Sequence, residues 1–114
     1  MISHNLLNSL LEFRHERNWE QFHTARNLSA ALCVEAAELL DYFRWARDSD
    51  IESIIKEHKA EIESELADVI ILLSYMCHDL GLSIEDAVSK KLNVNRANYP
   101  VEKAKGIFTK YDKL

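Results

Sequence analysis

Glu65-Leu66-Ala67-Asp68-Val69-Ile70-Ile71-Leu72-Leu73 decides how this chain folds. Its last five residues are uninterruptedly apolar, and at 100° per residue they point to every side of a helix. Such a helix must be surrounded by neighbours. One layer of partners from a chain of 114 residues covers it poorly, so a helix from a second copy, across a twofold interface, is the economical expectation. A helix central to a monomeric bundle is the alternative. Two acids, Glu65 and Asp68, precede the run one turn apart, on the same side of the helix as Ile62, Val69 and Leu72.

Working outward, the helical pattern extends from Ile51 to Leu80, and the charged stretch Lys56-Glu57-His58-Lys59 splits it into a short helix and a long one. Gly81 stops it as a C-terminal cap. Ser83 and Asp86 have the spacing of a capping box, opening a helix that runs to about Asn98 and ends at Pro100. Upstream, a helix is expected from about Asn27 to Ala46, with Leu28, Ala31, Leu32, Leu39 and Phe43 as its stripe; Asp48, Ser49 and Asp50 offer caps for the next helix. Ser3 caps a first helix carrying Leu6, Leu7, Leu10, Leu11 and Phe13, ending near Arg17 or Asn18. Between these two, Asn18 to Thr24 has no clean period. Its aromatics Trp19 and Phe22 need a surface or a ligand to pack on, which suggests a functional loop. The tail from about residue 101 is basic and polar and gives no structural signal.

Composition agrees with an all-α, four-helix-bundle-type fold in a single domain spanning 1–114. Two Gly and one Pro leave little of the punctuation that β turns need. A formal charge of -5 argues against a polynucleotide partner, whose affinity comes mainly from Lys and Arg. No apolar run approaches the roughly 20 residues that span a bilayer, so no membrane partner is expected. Cys33 and Cys77 lie in apolar helical stretches and the first residues lack a secretory pattern, which points to the cytoplasm and reduced thiols.

A second acidic pair, Glu35 and Glu38, matches the first in spacing and lies beside Leu28, Leu32 and Leu39. Four acids on the core stripes of two helices that pack antiparallel would repel one another unless a cation joined them. All-oxygen ligation without a Cys or His pair in the same register favours Mg2+, with Mn2+ as a possible substitute, and Mg2+ commonly takes substrate phosphates beside its carboxylates. Glu52, Glu57, Glu61 and Glu63 have polar neighbours and read first as solvated charges, with an approach of Glu61 to the site as the alternative for that residue.

At these residues the sequence resembles the MazG-like nucleotide pyrophosphohydrolases of the all-α NTP pyrophosphatase superfamily, and among them the small dCTP pyrophosphatases. The group's signature is Glu-x-x-Glu followed, after a spacer, by Glu-x-x-Asp; here 26 residues separate Glu38 from Glu65. Further landmarks are Glu16 to His23, Arg26-Asn27-Leu28, Phe43-x-Trp45, Lys91, and Asn95-Arg96-x-x-Tyr99-Pro100. The resemblance implies hydrolysis of a (deoxy)nucleoside triphosphate to monophosphate and pyrophosphate, serving to clean the nucleotide pool. It implies that Glu35, Glu38, Glu65 and Asp68 bind Mg2+ and carry the catalysis, with the general base among them left open. It further implies a nucleoside pocket from Trp19, Glu20, Gln21, Phe22, His23 and Trp45, with Trp19 or Trp45 facing the base. Lys91 and Asn95 would reach the phosphates, with Arg96 as a helper, and the assembly would be a homodimer or homotetramer. Where close dCTP pyrophosphatases carry a substrate-touching His and Tyr, this chain has Leu10 and Leu72. That leaves dCTP as the first expectation, with dATP or a modified deoxynucleotide close behind.

Two other readings compete. Glu12-x-x-His15 and Glu20-x-x-His23 formally match a di-iron motif, but both lie around the end of one helix, whereas that site needs two packed helices. A non-catalytic helical dimerisation or regulatory module would explain the third helix, but gives no reason to place four acids in apolar stripes.

Overall fold

The computed structural model describes residues 1–114 and is all-α. Its helices are α1 (His4–Glu16), α2 (Ala25–Asp41), α3 (Ile51–Glu57), α4 (Lys59–Asp79), α5 (Ile84–Asn98) and α6 (Val101–Ala104), with 3-10 turns at Glu20–Phe22, Asp48–Asp50 and Tyr111–Lys113. Two compact units result. One is Ile2–Gly81; the other is Leu82–Leu114 together with Met1.

Helix starts follow side-chain chemistry. Ser3 Oγ accepts from the Leu6 N–H at 3.1 Å, Thr24 Oγ1 from Asn27 at 3.1 Å, and Ser83 Oγ from Asp86 at 3.3 Å, each satisfying a first-turn donor that has no partner within its helix. Gly81 takes φ 66° and closes α4 by donating to the His78 carbonyl, a left-handed position where a side chain would be strained.

Within Ile2–Gly81, α2 and α4 form the main seam. Leu28 lines a cavity with Met76 and Leu80, Glu38 meets Glu65, and Tyr42 feels the charge of Glu61, so partners descend along α4 as they ascend along α2. The two helices are therefore antiparallel, as the sequence suggests. Helix α1 runs the other way along α4: Leu10 meets Tyr75 and Arg14 meets Asp79. Leu28 at 2% exposure and Tyr75 at 4% are the only buried apolar side chains, and of the two only Leu28 is fully buried. All five residues from Val69 to Leu73 are only half-buried.

One boundary differs from expectation. Helix α2 ends at Asp41 rather than Ala46, and Tyr42 to Trp45 form turns closed by Phe43 N–H and Arg44 N–H, both donating to the Leu40 carbonyl. Three aromatics in four residues are poor helix formers, and the aromatic stripe disguised the end. Trp45 consequently lies beyond the helix and is 84% exposed, with the Arg44 guanidinium 4.7 Å above its ring. The tail, whose structure the sequence leaves open, carries α6 and the turn at Tyr111–Lys113.

Candidate functional site

The α2–α4 seam places carboxyl oxygens of Glu35, Glu38 and Glu65 within 4.8 Å of one another. Glu35 and Glu65 are half-buried and Glu38 is exposed. Glu35 is pushed up to about 7, first because it can share a proton with Glu65, then by burial, then by the charges of Glu38 and Asp68. Asp68 is half-buried one turn beyond Glu65 and acts on the cluster through its charge. Three of the four expected acids thus converge, and the fourth stands next to them.

Glu65 Oε2 is buried and has no hydrogen-bond partner. An acceptor in that state is costly to bury unless something positive meets it. The donor set is all oxygen, so a hard divalent cation fits these residues, which are free to supply several ligands while leaving positions for water and phosphate. Beside the cluster a cavity of about 290 Å³ is lined by Glu38, Asp41, Tyr42 and Glu65. Burial and the charges of Glu61, Glu65 and Glu38 keep the Tyr42 hydroxyl protonated above its ordinary range.

The segment from Trp19 to His23 is a tight turn rather than an open loop. Phe22 N–H donates to the Trp19 carbonyl at 2.9 Å, and Asn27 Nδ2 donates to the Phe22 carbonyl at 2.9 Å. Gln21 Nε2 donates to the Asn18 carbonyl at 3.0 Å, with Asn18 in the left-handed region at φ 55°. Glu20 pairs with His15 Nδ1 at 2.8 Å, which lowers the carboxyl and raises the imidazole. Trp19 is 41% exposed and Phe22 60% exposed, so both present apolar surface. His23 is half-buried. Burial first, then the Arg14 charge, lowers its pKa against the opposing charges of Asp79 and Glu20.

Leu72 is half-buried one turn past Asp68 on α4. Lys91, Asn95 and Arg96 are exposed on α5, in the Leu82–Leu114 unit, with Lys91 and Asn95 one turn apart.

Sequence reasoning missed the polar anchor behind the turn. Arg14, only 5% exposed, donates from both terminal nitrogens to Asp79 at 2.9 and 2.8 Å and lies 4.6 Å over the Tyr75 ring. The available signal was a charged residue following Leu7, Leu10 and Leu11 at helical spacing. The hydrogen bonds from Arg14 hold Asp79 below its ordinary carboxylate range, against the opposing effect of burial. A depressed folded pKa gives stability that is fully present above the unfolded value, near 3.8, and is lost as pH falls through the folded one. In urea titrations the wild type should exceed Asp79→Asn in stability at about pH 6, and the gap should close toward about pH 2. A constant gap would show that the Asp79 charge is not its source.

Comparison with known proteins agrees with this architecture. Residues 30–114 match the family model described as the MazG-like family. The dCTP pyrophosphatase 1 of Mus musculus is 37% identical over 105 residues, covering 90% of this chain and 62% of that protein. The Homo sapiens dCTP pyrophosphatase 1 is 36% identical with the same coverage, so the chain spans less than two thirds of the length of these relatives. A crystal structure of a pyrophosphatase from Archaeoglobus fulgidus superposes with a TM-score of 0.80 at 38% identity, covering 88% of this chain and 99% of that one. With the carboxylate seam, the helix order and the sequence match in agreement, the chain belongs to the MazG-like family.

Proposed function

We propose that this chain hydrolyses (deoxy)nucleoside triphosphates between the α- and β-phosphates, giving a monophosphate and pyrophosphate, with Glu35, Glu38, Glu65 and Asp68 holding Mg2+. The observation that carries this reading is the convergence of three carboxylates around the buried, unpartnered Glu65 Oε2. Names of the relatives supply the reaction class. Mg2+, when bound, supplies charge neutralisation and Lewis-acid polarisation of the phosphoryl oxygens.

The chain's own residues account for the rest. Water adds to one phosphorus of the α–β anhydride as the bridging P–O bond breaks, the monophosphate and pyrophosphate part, and the water's proton passes to a carboxylate of the cluster or to solvent. Trp19 or Trp45 offers a π-face to the base, while Glu20, Gln21, Phe22, His23 and Leu72 shape the nucleoside pocket. Lys91 and Asn95, helped by Arg96, neutralise and orient the phosphates. Leu10 and Leu72 leave the base pocket more apolar than a His and a Tyr would. The dCTP pyrophosphatase relatives make dCTP the first candidate, and these two departures bring dATP or a modified deoxynucleotide close behind it.

The half-exposed run Val69 to Leu73 supports a homodimer or homotetramer, in which a second copy covers what one chain leaves open. No single helix is long and apolar enough to cross a membrane, and both cysteines are free, which suits a cytoplasmic enzyme that cleans the nucleotide pool.

The test is pyrophosphate release from a panel of standard and modified NTPs and dNTPs, with Mg2+, with Mn2+ and with chelator. Equal release of pyrophosphate and monophosphate that disappears on chelation is the expected result. No turnover of any member, together with no Mg2+ binding by a folded oligomer, would overturn the reading in favour of a helical interaction module.

A further inference from the structure

The group behind the Trp19–His23 turn is connected to it twice. The Arg14 carbonyl accepts the Trp19 N–H at 3.1 Å, so the residue that carries the buried guanidinium also fixes the first residue of the turn. On the side-chain side, the guanidinium lies over Tyr75, whose hydroxyl donates to the Leu10 carbonyl at 2.8 Å. The same ring meets His23, 5.2 Å away between centroids, and His23 in turn meets Trp19 at 6.3 Å. Trp19 finally packs edge-on against Phe13 of α1 at 5.6 Å. Asp79, at the last turn of α4, holds the whole series in register by gripping both terminal nitrogens of Arg14.

Burying the Arg14 guanidinium against a carboxylate that stays partly exposed is an expensive way to gain stability, because the buried charge loses its water. Orientation is what it adds: a two-point fork fixes the guanidinium plane, and that plane sets the tilt of Tyr75. We infer that the Arg14–Asp79 pair is the positioning device for the nucleoside-binding turn, setting Trp19 and His23 through the Arg14 carbonyl and the Tyr75 ring. Neither residue touches substrate. Their effect on binding passes through Trp19 and His23, and for its kinetic consequence the inference rests on the nucleotide-hydrolysing reading above.

Two variants separate positioning from simple support. Asp79→Asn keeps the shape but loses the charge-assisted fork, and the pair Arg14→Met with Asp79→Leu replaces the ion pair by apolar volume. Melting temperature, KM and kcat for the best nucleotide are measured on each, and acrylamide quenching of Trp19 is read in a Trp45→Phe background. Asp79→Asn should melt lower and raise KM about tenfold, with kcat within about twofold, because it removes binding common to ground and transition states. The apolar pair should recover the melting temperature while KM stays high and Trp19 stays more easily quenched. Recovery of KM and of Trp19 protection along with stability would overturn the inference and leave the pair as packing. Should the wild type hydrolyse no nucleotide, the activity reading fails on its own, and Trp19 quenching alone decides the anchor: unchanged quenching in the apolar pair overturns it.

Discussion

Glu38→Ala is expected to abolish pyrophosphate release, lowering turnover by at least about a hundredfold, because on the proposed reading it removes one of the three converging carboxylates that hold the metal. Glu38 is exposed, so little packing is lost with it and the fold should survive. Its charge is also one cause of the raised Glu35 pKa, so its removal relieves repulsion inside the cluster. The metal-free variant should therefore melt no lower than the metal-free wild type. Mg2+ should stabilise the wild type in proportion to the logarithm of its concentration above the dissociation constant, and stabilise the variant far less. These two melting curves test the metal site without using activity. A variant that keeps both turnover and Mg2+ stabilisation would place the metal elsewhere.

The carboxylate site was legible because both of its requirements are local. Spacing of i, i+3 puts each pair on one side of its helix, and flanking Leu28, Leu32, Leu39, Ile62 and Val69 mark that side as the one facing the seam. Antiparallel packing of consecutive major helices then brings the pairs together. Helix starts at Ser3 and Ser83 and the stop at Gly81 were legible for the same reason, since each is set by one side chain or its absence. Thr24 caps α2 just as directly, yet the aromatic segment before it obscured the start.

What stayed hidden depends on pairing between distant parts of the chain. Arg14 and Asp79 are 65 positions apart, and no local period says that the guanidinium will find that carboxylate rather than solvent. Nor does a period distinguish an aromatic stripe that continues a helix from one that closes it, which is why Trp45 was expected on α2 and lies beyond it. The roles of Lys91, Asn95 and Arg96 came from resemblance alone. Their local pattern, polar residues on an amphipathic helix, is equally that of ordinary surface.

Leu28→Ala should be the most destabilising single truncation in Ile2–Gly81, at about 3 kcal/mol, within the range typical of fully buried leucines. Leu28 is 2% exposed, the largest fully buried side chain, and lies in the α2–α4 seam. It already borders a cavity of about 220 Å³ with Ala25, Met76, Asp79 and Leu80. Truncation would enlarge an existing void rather than let neighbours close on it, so little of the lost contact is recovered. Thermal unfolding should shift down by roughly 10 °C or more, measured at equal protein concentration because association would add to stability. Val34→Ala, on the same helix but at a side chain 55% exposed, is the control and should cost under about 1 kcal/mol. The same seam sets the distance between Glu35 and Glu65, so loosening it at Leu28 should also weaken Mg2+ binding. A large stability loss with unchanged Mg2+ affinity would mean that the carboxylate spacing is held locally, within two turns of α2 and α4, and not by the packing of the seam as a whole.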